Sequence, residues 1–147
     1  MSRCSNIPAA YVVLLRKERV LLLKRANTGF RDGEYSFIAG HVEEDESFTE
    51  AAIREAREEA GITIRGEDLK AAHVMHRNSD DAVRVDIFFT AENWTGEITN
   101  REPEKCSDLS WFPLDSLPEN TIPYIRRVIE CIRKKTFYSE EGWLPAS

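Results

Sequence analysis

Apolar positions along the chain follow two periods. Ala9 to Leu15 is a continuous apolar run, and Val20 to Arg25 opens on another; the polar Arg16-Lys-Glu-Arg19 separates them, which predicts a β-hairpin. Ala26 to Gly33 holds the turn formers Asn27, Gly29, Asp32 and Gly33 and is expected to be a loop. Tyr35 to Ile38 is expected to form a short strand running into Ala39-Gly40. Ser47 to Ala60 predicts the clearest helix: Ser47-Phe-Thr-Glu50 has the form of a capping box, and Gly61 stands where a left-handed cap ends a helix. Ile62 to Ile64, Leu69 to Arg77, Ala82 to Thr90 and Asp108 to Phe112 are expected strands, the middle two joined by the turn-rich Asn78-Ser-Asp-Asp81. Ile122, Ile125, Val128, Ile129 and Ile132 then recur at helical spacing, with Pro123 near the helix start, where its missing N–H does no harm. The order of hairpin, helix, strands and helix predicts an α+β fold, a mixed sheet with helices packed on it.

Composition narrows the class of function. The 147 residues suit one domain, expected to run over 1–147, and 41% hydrophobic with 31% charged residues is a globular composition. Twenty basic against twenty-six acidic side chains leave a net charge of −6, which disfavours duplex nucleic acid and anionic membrane as partners. A free nucleotide remains compatible, because a bound divalent cation reverses the local sign. Cys4, Cys106 and Cys131 form no CxxC pair and no disulfide framework. The apolar run Ala9 to Leu15 is far short of the ~20 residues needed to cross a bilayer, and Met1 to Pro8 lacks the order of a signal peptide, so the expected location is cytoplasmic.

The chemistry concentrates on the first helix. Glu55, Glu58 and Glu59 fall within an arc of about 100° on one face, where like charges cost roughly 0.2–0.5 kcal/mol per pair. Arg54, four residues from both Glu50 and Glu58, offsets part of this. A glutamate-rich helix face is most often simply solvated, and what changes that reading is the surrounding spacing. Gly40, five residues, Glu46, seven residues, then Arg54-Glu55-Ala56-Arg57-Glu58-Glu59-Ala60-Gly61-Ile62 match all seven fixed positions of a known pattern, at a chance frequency on the order of 10⁻⁸ per start.

That stretch resembles the Nudix box, G-x5-E-x7-R-E-U-x-E-E-x-G-U. It departs only in Ala56, where a larger aliphatic is usual, and in Ile38-Ala39, where Pro-Gly commonly precedes the glycine. The resemblance implies a Nudix-type α/β/α sandwich whose box forms a loop–helix–loop holding Mg²⁺, or Mn²⁺. It implies hydrolysis of a nucleoside diphosphate linked to another group, by attack of water on phosphorus. Glu55, Glu58 and Glu59 match the family's metal-binding glutamates, with the Ala39 carbonyl as a further ligand. Arg54 matches the arginine that orients one of them, and Glu46 a structural glutamate. Beyond the box the chain is similar to MutT-like nucleoside triphosphate pyrophosphohydrolases. Trp94-Thr-Gly-Glu97 resembles their W-x-G-E stretch, which makes Glu102, eight residues past Trp94, a candidate metal ligand or base, with Glu104 behind it. Arg25 and Asn120 match nucleotide contacts there, although Asn120 or Thr121 equally suits a cap of the last helix. Phe37, Trp94, Trp111 and Tyr124 are candidates to stack a base. His73 and His76 lie three apart on an expected strand, on opposite faces, and make poor metal partners for one another.

The expected activity is cleavage of a nucleoside triphosphate to the monophosphate and pyrophosphate. ADP-ribose, a dinucleotide polyphosphate or a nucleotide sugar is the alternative substrate. A non-catalytic nucleotide sensor is disfavoured by the intact carboxylates, and cap removal from RNA by the acidic balance. The sequence leaves the base, the sugar and the oligomeric state open, a homodimer included.

Overall fold

A computed structural model describes residues 3–144. Its central strand, β1 (Ile7–Arg16), runs parallel to β6 (Val83–Ala91) on one side and antiparallel to β4 (Ile38–His41) on the other. β6 pairs antiparallel with β5 (Lys70–Asn78), which carries the parallel edge strand β8 (Tyr138–Glu141). A second arm has β2 (Arg19–Arg25) between β3 (Tyr35–Ser36) and β7 (Cys106–Pro113), both antiparallel to it.

The two arms meet at the β1–β2 turn. There the expected hairpin forms, but only Leu15–Val20 and Arg16–Arg19 are paired before the strands diverge into separate arms.

The alternation of β1 explains how one strand serves two cores. Ala10, Val12 and Leu14 face α1 (Phe48–Ala60), whose Ala51, Ala52, Ala56 and Ala60 are fully buried against them. Ala9, Tyr11 and Val13 point the other way, toward Ile125, Val128 and Ile129 of α2 (Pro123–Arg133). A strand covered on both faces reads in sequence as an unbroken apolar run. The small alanine face lets α1 approach the sheet closely, and this accounts for Ala56 in place of a bulkier aliphatic.

α1 begins and ends as its sequence predicts. Ser47 Oγ accepts the Glu50 N–H, the Glu50 carboxylate accepts the Ser47 N–H, and Gly61 closes the helix at φ 70°. Three expectations need correction. Tyr35 to Ile38 divides at Phe37 into β3 and β4. Ile62 to Ile64 contributes a single bridge, Thr63 to Thr95, while Ile62 and Ile64 are buried in the core beside α1. Neither Asn120 nor Thr121 caps α2: Ile122 occupies that position without a side-chain bond, since Asn120 donates to the Gly33 carbonyl and Thr121 to that of Pro118. β8 carries no sequence signal. Among the described residues no helix is long and apolar enough to cross a membrane.

Candidate active site

The box helix presents its acidic face to β4. Gly40 is required here by close approach: a Cβ at this position would overlap the Glu55 carboxylate. Arg54 organises the remaining carboxylates. Its Nε and Nη2 donate to both oxygens of Glu46 (2.7 and 3.0 Å), its Nη1 to Glu55 (2.6 Å) and Glu58 (3.2 Å), and its Nη2 also to the His41 carbonyl (3.1 Å). Hydrogen bonding from Arg54 holds the Glu46 carboxyl below its ordinary range, so Glu46 stays charged as the anchor of the fork.

Glu59 lies on the inner side of the cluster, where it accepts the Ala39 N–H (3.4 Å). Burial first, and the neighbouring Glu55 charge second, push its carboxyl well above the usual carboxylate range, with Glu102 adding to the shift. Burial likewise raises Glu55, against the opposing pull of Arg54. Two acids that resist ionising side by side form a place of strong negative potential once both are deprotonated.

These groups share one cavity of about 440 Å³. Glu55, Glu58, Glu59 and Glu102 form its acidic wall, and Arg25 and Lys105 also line it. Ala39 borders it, and Phe37 reaches its floor from the core, where it packs edge-on against Phe88. The structure thus gathers Arg25, Phe37, Ala39, Glu55, Glu58, Glu59 and Glu102, with Arg54 just behind Glu55 and Glu58. Asn120 is not brought in, its amide being engaged with Gly33. Glu104 also stays outside the wall, although its carbonyl accepts from Asn27 and so ties the loop after β2 to the loop that carries Glu102. Trp94 and Trp111 stack on each other under Arg16 instead of lining the cavity. Sequence reading missed Lys105, Asn27 and Thr28, which also line it; a lone lysine or a turn residue carries no spacing signal.

Arg25 is fixed by its own loop, its Nε donating to the Phe30 carbonyl (2.7 Å) and its Nη2 to the Thr28 hydroxyl (3.0 Å). Arg25 and Ala39 also border a second cavity of about 370 Å³, whose wall includes Tyr11, Arg77, Arg84 and Tyr124.

Carboxylate oxygens are the donors Mg²⁺ and Mn²⁺ favour. Among the described residues no three acidic, histidine or cysteine side chains already converge in coordination geometry. The cause is visible in the contacts: Glu55 and Glu58 turn to Arg54, and Glu59 to the Ala39 N–H. A pocket with four carboxylates, two of them destabilised as anions, nevertheless fits a hard cation.

The NUDIX domain family matches residues 5–130. The chain belongs to the Nudix hydrolase family. The chain is 34% identical over 111 residues to the NAD-capped RNA hydrolase NudC of Pseudomonas aeruginosa (strain LESB58), covering 76% of this chain and 37% of that protein. Its match to NudC of Pectobacterium carotovorum subsp. carotovorum (strain PC1) is 28% over 141 residues, covering 93% of this chain and 52% of the relative. The chain thus spans about half or less of the length of these relatives. The MutT NUDIX hydrolase structure from Burkholderia pseudomallei superposes with a TM-score of 0.79 at 26% identity, covering 86% of this chain and 97% of that one. The MutT protein of Methanosarcina mazei Go1 shares the fold at a TM-score of 0.78 and 22% identity, covering 92% of this chain and 98% of that one. The α+β sandwich expected from sequence is therefore the fold of the molecule.

Proposed function

We propose that this Nudix hydrolase cleaves a nucleoside triphosphate to the monophosphate and pyrophosphate in the carboxylate cavity. The observation that carries the reading is the presence of four glutamates together with Arg25 and Lys105 in the lining of one cavity. The basic pair suits a polyphosphate chain, and the acidic wall suits the cation that such a chain carries. A divalent ion, Mg²⁺ or Mn²⁺, held by Glu55, Glu58, Glu59, Glu102 and the Ala39 carbonyl would neutralise charge on the phosphate oxygens. Arg54 keeps Glu55 and Glu58 in place from behind. Water adds to phosphorus as the bridging P–O bond breaks, and the proton it loses passes to a carboxylate oxygen of Glu55 or Glu102. Lys105 and Arg25 offset charge on the departing pyrophosphate.

The similarity to NudC favours a second reading, a dinucleotide whose diphosphate bridge joins two nucleosides. Products separate the two. A nucleoside triphosphate should release pyrophosphate and a monophosphate, whereas NAD should release two mononucleotides. The same panel should include NAD-capped RNA, because the relatives' name reopens a substrate that the net charge disfavours. Glu58→Gln should lower kcat/KM by about 10²–10⁴-fold for whichever substrate is cleaved. Unchanged turnover in that variant would remove the acidic wall from the mechanism.

A further inference from the structure

The second cavity has the opposite electrical character to the first. Arg25, Arg77 and Arg84 line it against one carboxylate, Asp81, in a chain whose net charge is −6. Arg77 is nearly fully buried: its Nε donates to Asp86 (2.8 Å), its Nη2 to the Tyr11 hydroxyl (3.4 Å), and its guanidinium lies 4.3 Å from the Tyr124 ring centroid. No acceptor engages its Nη1 among the described residues, although an arginine fork offers five donors. Arg84 spends its Nη1 on the His41 Nε2 (3.0 Å) and its Nη2 on Asp81 (3.1 Å), whose carboxylate is 73% exposed and so offers a weak, water-screened partner. Asp86, buried and with its Oδ1 unpartnered among the described residues, balances Arg77, whereas Arg84 is balanced only by the exposed Asp81, so the cavity keeps Arg25 and a weakly screened Arg84 as its available cations.

We propose that this basic cavity binds a second phosphate of the substrate, one attached to the ribose beyond the diphosphate being cleaved. The proposal rests on the hydrolase reading above and narrows its substrate class to nucleotides carrying an extra phosphate monoester. Its logic is the division of charge between adjoining chambers that share Arg25 and Ala39. The acidic chamber takes phosphate only with a cation, while the basic one takes phosphate directly through guanidinium forks. A substrate with no anionic group outside its scissile bridge would leave Arg77 and Arg84 facing a neutral moiety.

Binding in EDTA reads the basic cavity apart from metal and turnover. Calorimetry on the whole chain would compare 5′-AMP with adenosine 2′,5′-bisphosphate and adenosine 3′,5′-bisphosphate. One bisphosphate should bind at least roughly tenfold tighter than AMP, the size of a charge-assisted contact. Arg84→Gln should bring that bisphosphate back to the AMP value. Arg133→Gln, which makes the same charge change at the far end of α2, should keep the preference. Circular dichroism melts establish that both variants fold. Equal binding of AMP and both bisphosphates by the wild type overturns the proposal, as does a preference that survives Arg84→Gln. Failure of the hydrolase reading shows separately, as absence of cleavage across the Mg²⁺-supplemented panel of nucleoside triphosphates, NAD and NADP.

Discussion

Arg54 is the residue on which the acidic wall depends. One planar group serves Glu46 in bidentate fashion, Glu55, Glu58 and the His41 carbonyl, a set that a single ammonium cannot reproduce. Arg54→Lys should therefore behave almost as Arg54→Ala does, each losing about 10–100-fold in kcat/KM, the usual cost of removing a group that orients metal ligands. Full activity in Arg54→Lys would show that charge alone suffices. Glu59 supplies a prediction of opposite sign for stability. Its carboxyl titrates higher in the folded chain than in the unfolded one, so the native state binds more protons between those two pKa values. This group's contribution to stability then falls as pH rises through that window, from the ordinary carboxylate range upward. In EDTA, Glu59→Gln should raise the melting temperature at pH 8, and the gain should shrink as the pH approaches 4. A variant less stable than the wild type at pH 8 would show that the Ala39 contact outweighs the burial of charge.

At the scale of elements, the box helix is positioned by its ends. Gly61 adopts φ 70°, and a Cβ there would press on the Thr99 hydroxyl and Arg101. Gly61→Ala should cost about 1–2 kcal/mol from backbone conformation alone, read as a lower urea midpoint. Because Thr99 and Arg101 lead directly to Glu102, the same change should weaken activity beyond the loss of stability. The elements legible in sequence are those whose determinants are local. The capping box, the glycine cap, the box glutamates and the isoleucine spacing of α2 each sit within a few residues of what they specify. The illegible parts depend on distant partners. β8 is a four-residue polar strand fixed by parallel pairing to β5, and part of its anchorage is a hydrogen bond between buried His73 and the Ser139 hydroxyl. Asn120 bonds to a glycine 87 residues away, and no window around it could have told that from a helix cap. Arg77 and Arg84 lie on expected strands, where an isolated arginine reads as a solvated position until the fold gathers both beside Arg25.

At the scale of the molecule, the acidic cavity joins segments that only the folded chain brings together. Glu55, Glu58 and Glu59 ride on α1, packed over β1, while Glu102 comes from the loop that enters β7 in the other arm of the sheet. The unfolded chain has no such arrangement, so a cation that binds these four carboxylates stabilises the native state alone. At a concentration of about 100 times its dissociation constant, such a ligand adds roughly 2.7 kcal/mol. For a domain of this size that corresponds to a rise in melting temperature of about 5–10 °C over the value in EDTA. The rise should be larger at pH 8 than at pH 5, because Glu55 and Glu59 must give up protons before their oxygens can bind metal, and both titrate above the ordinary range. Glu102→Gln should diminish the effect although it lies far from the box in sequence, whereas Glu104→Gln, outside the cavity wall, should leave it intact. Identical melting curves in EDTA, Mg²⁺ and Mn²⁺ at both pH values would mean that the four carboxylates do not act as one site.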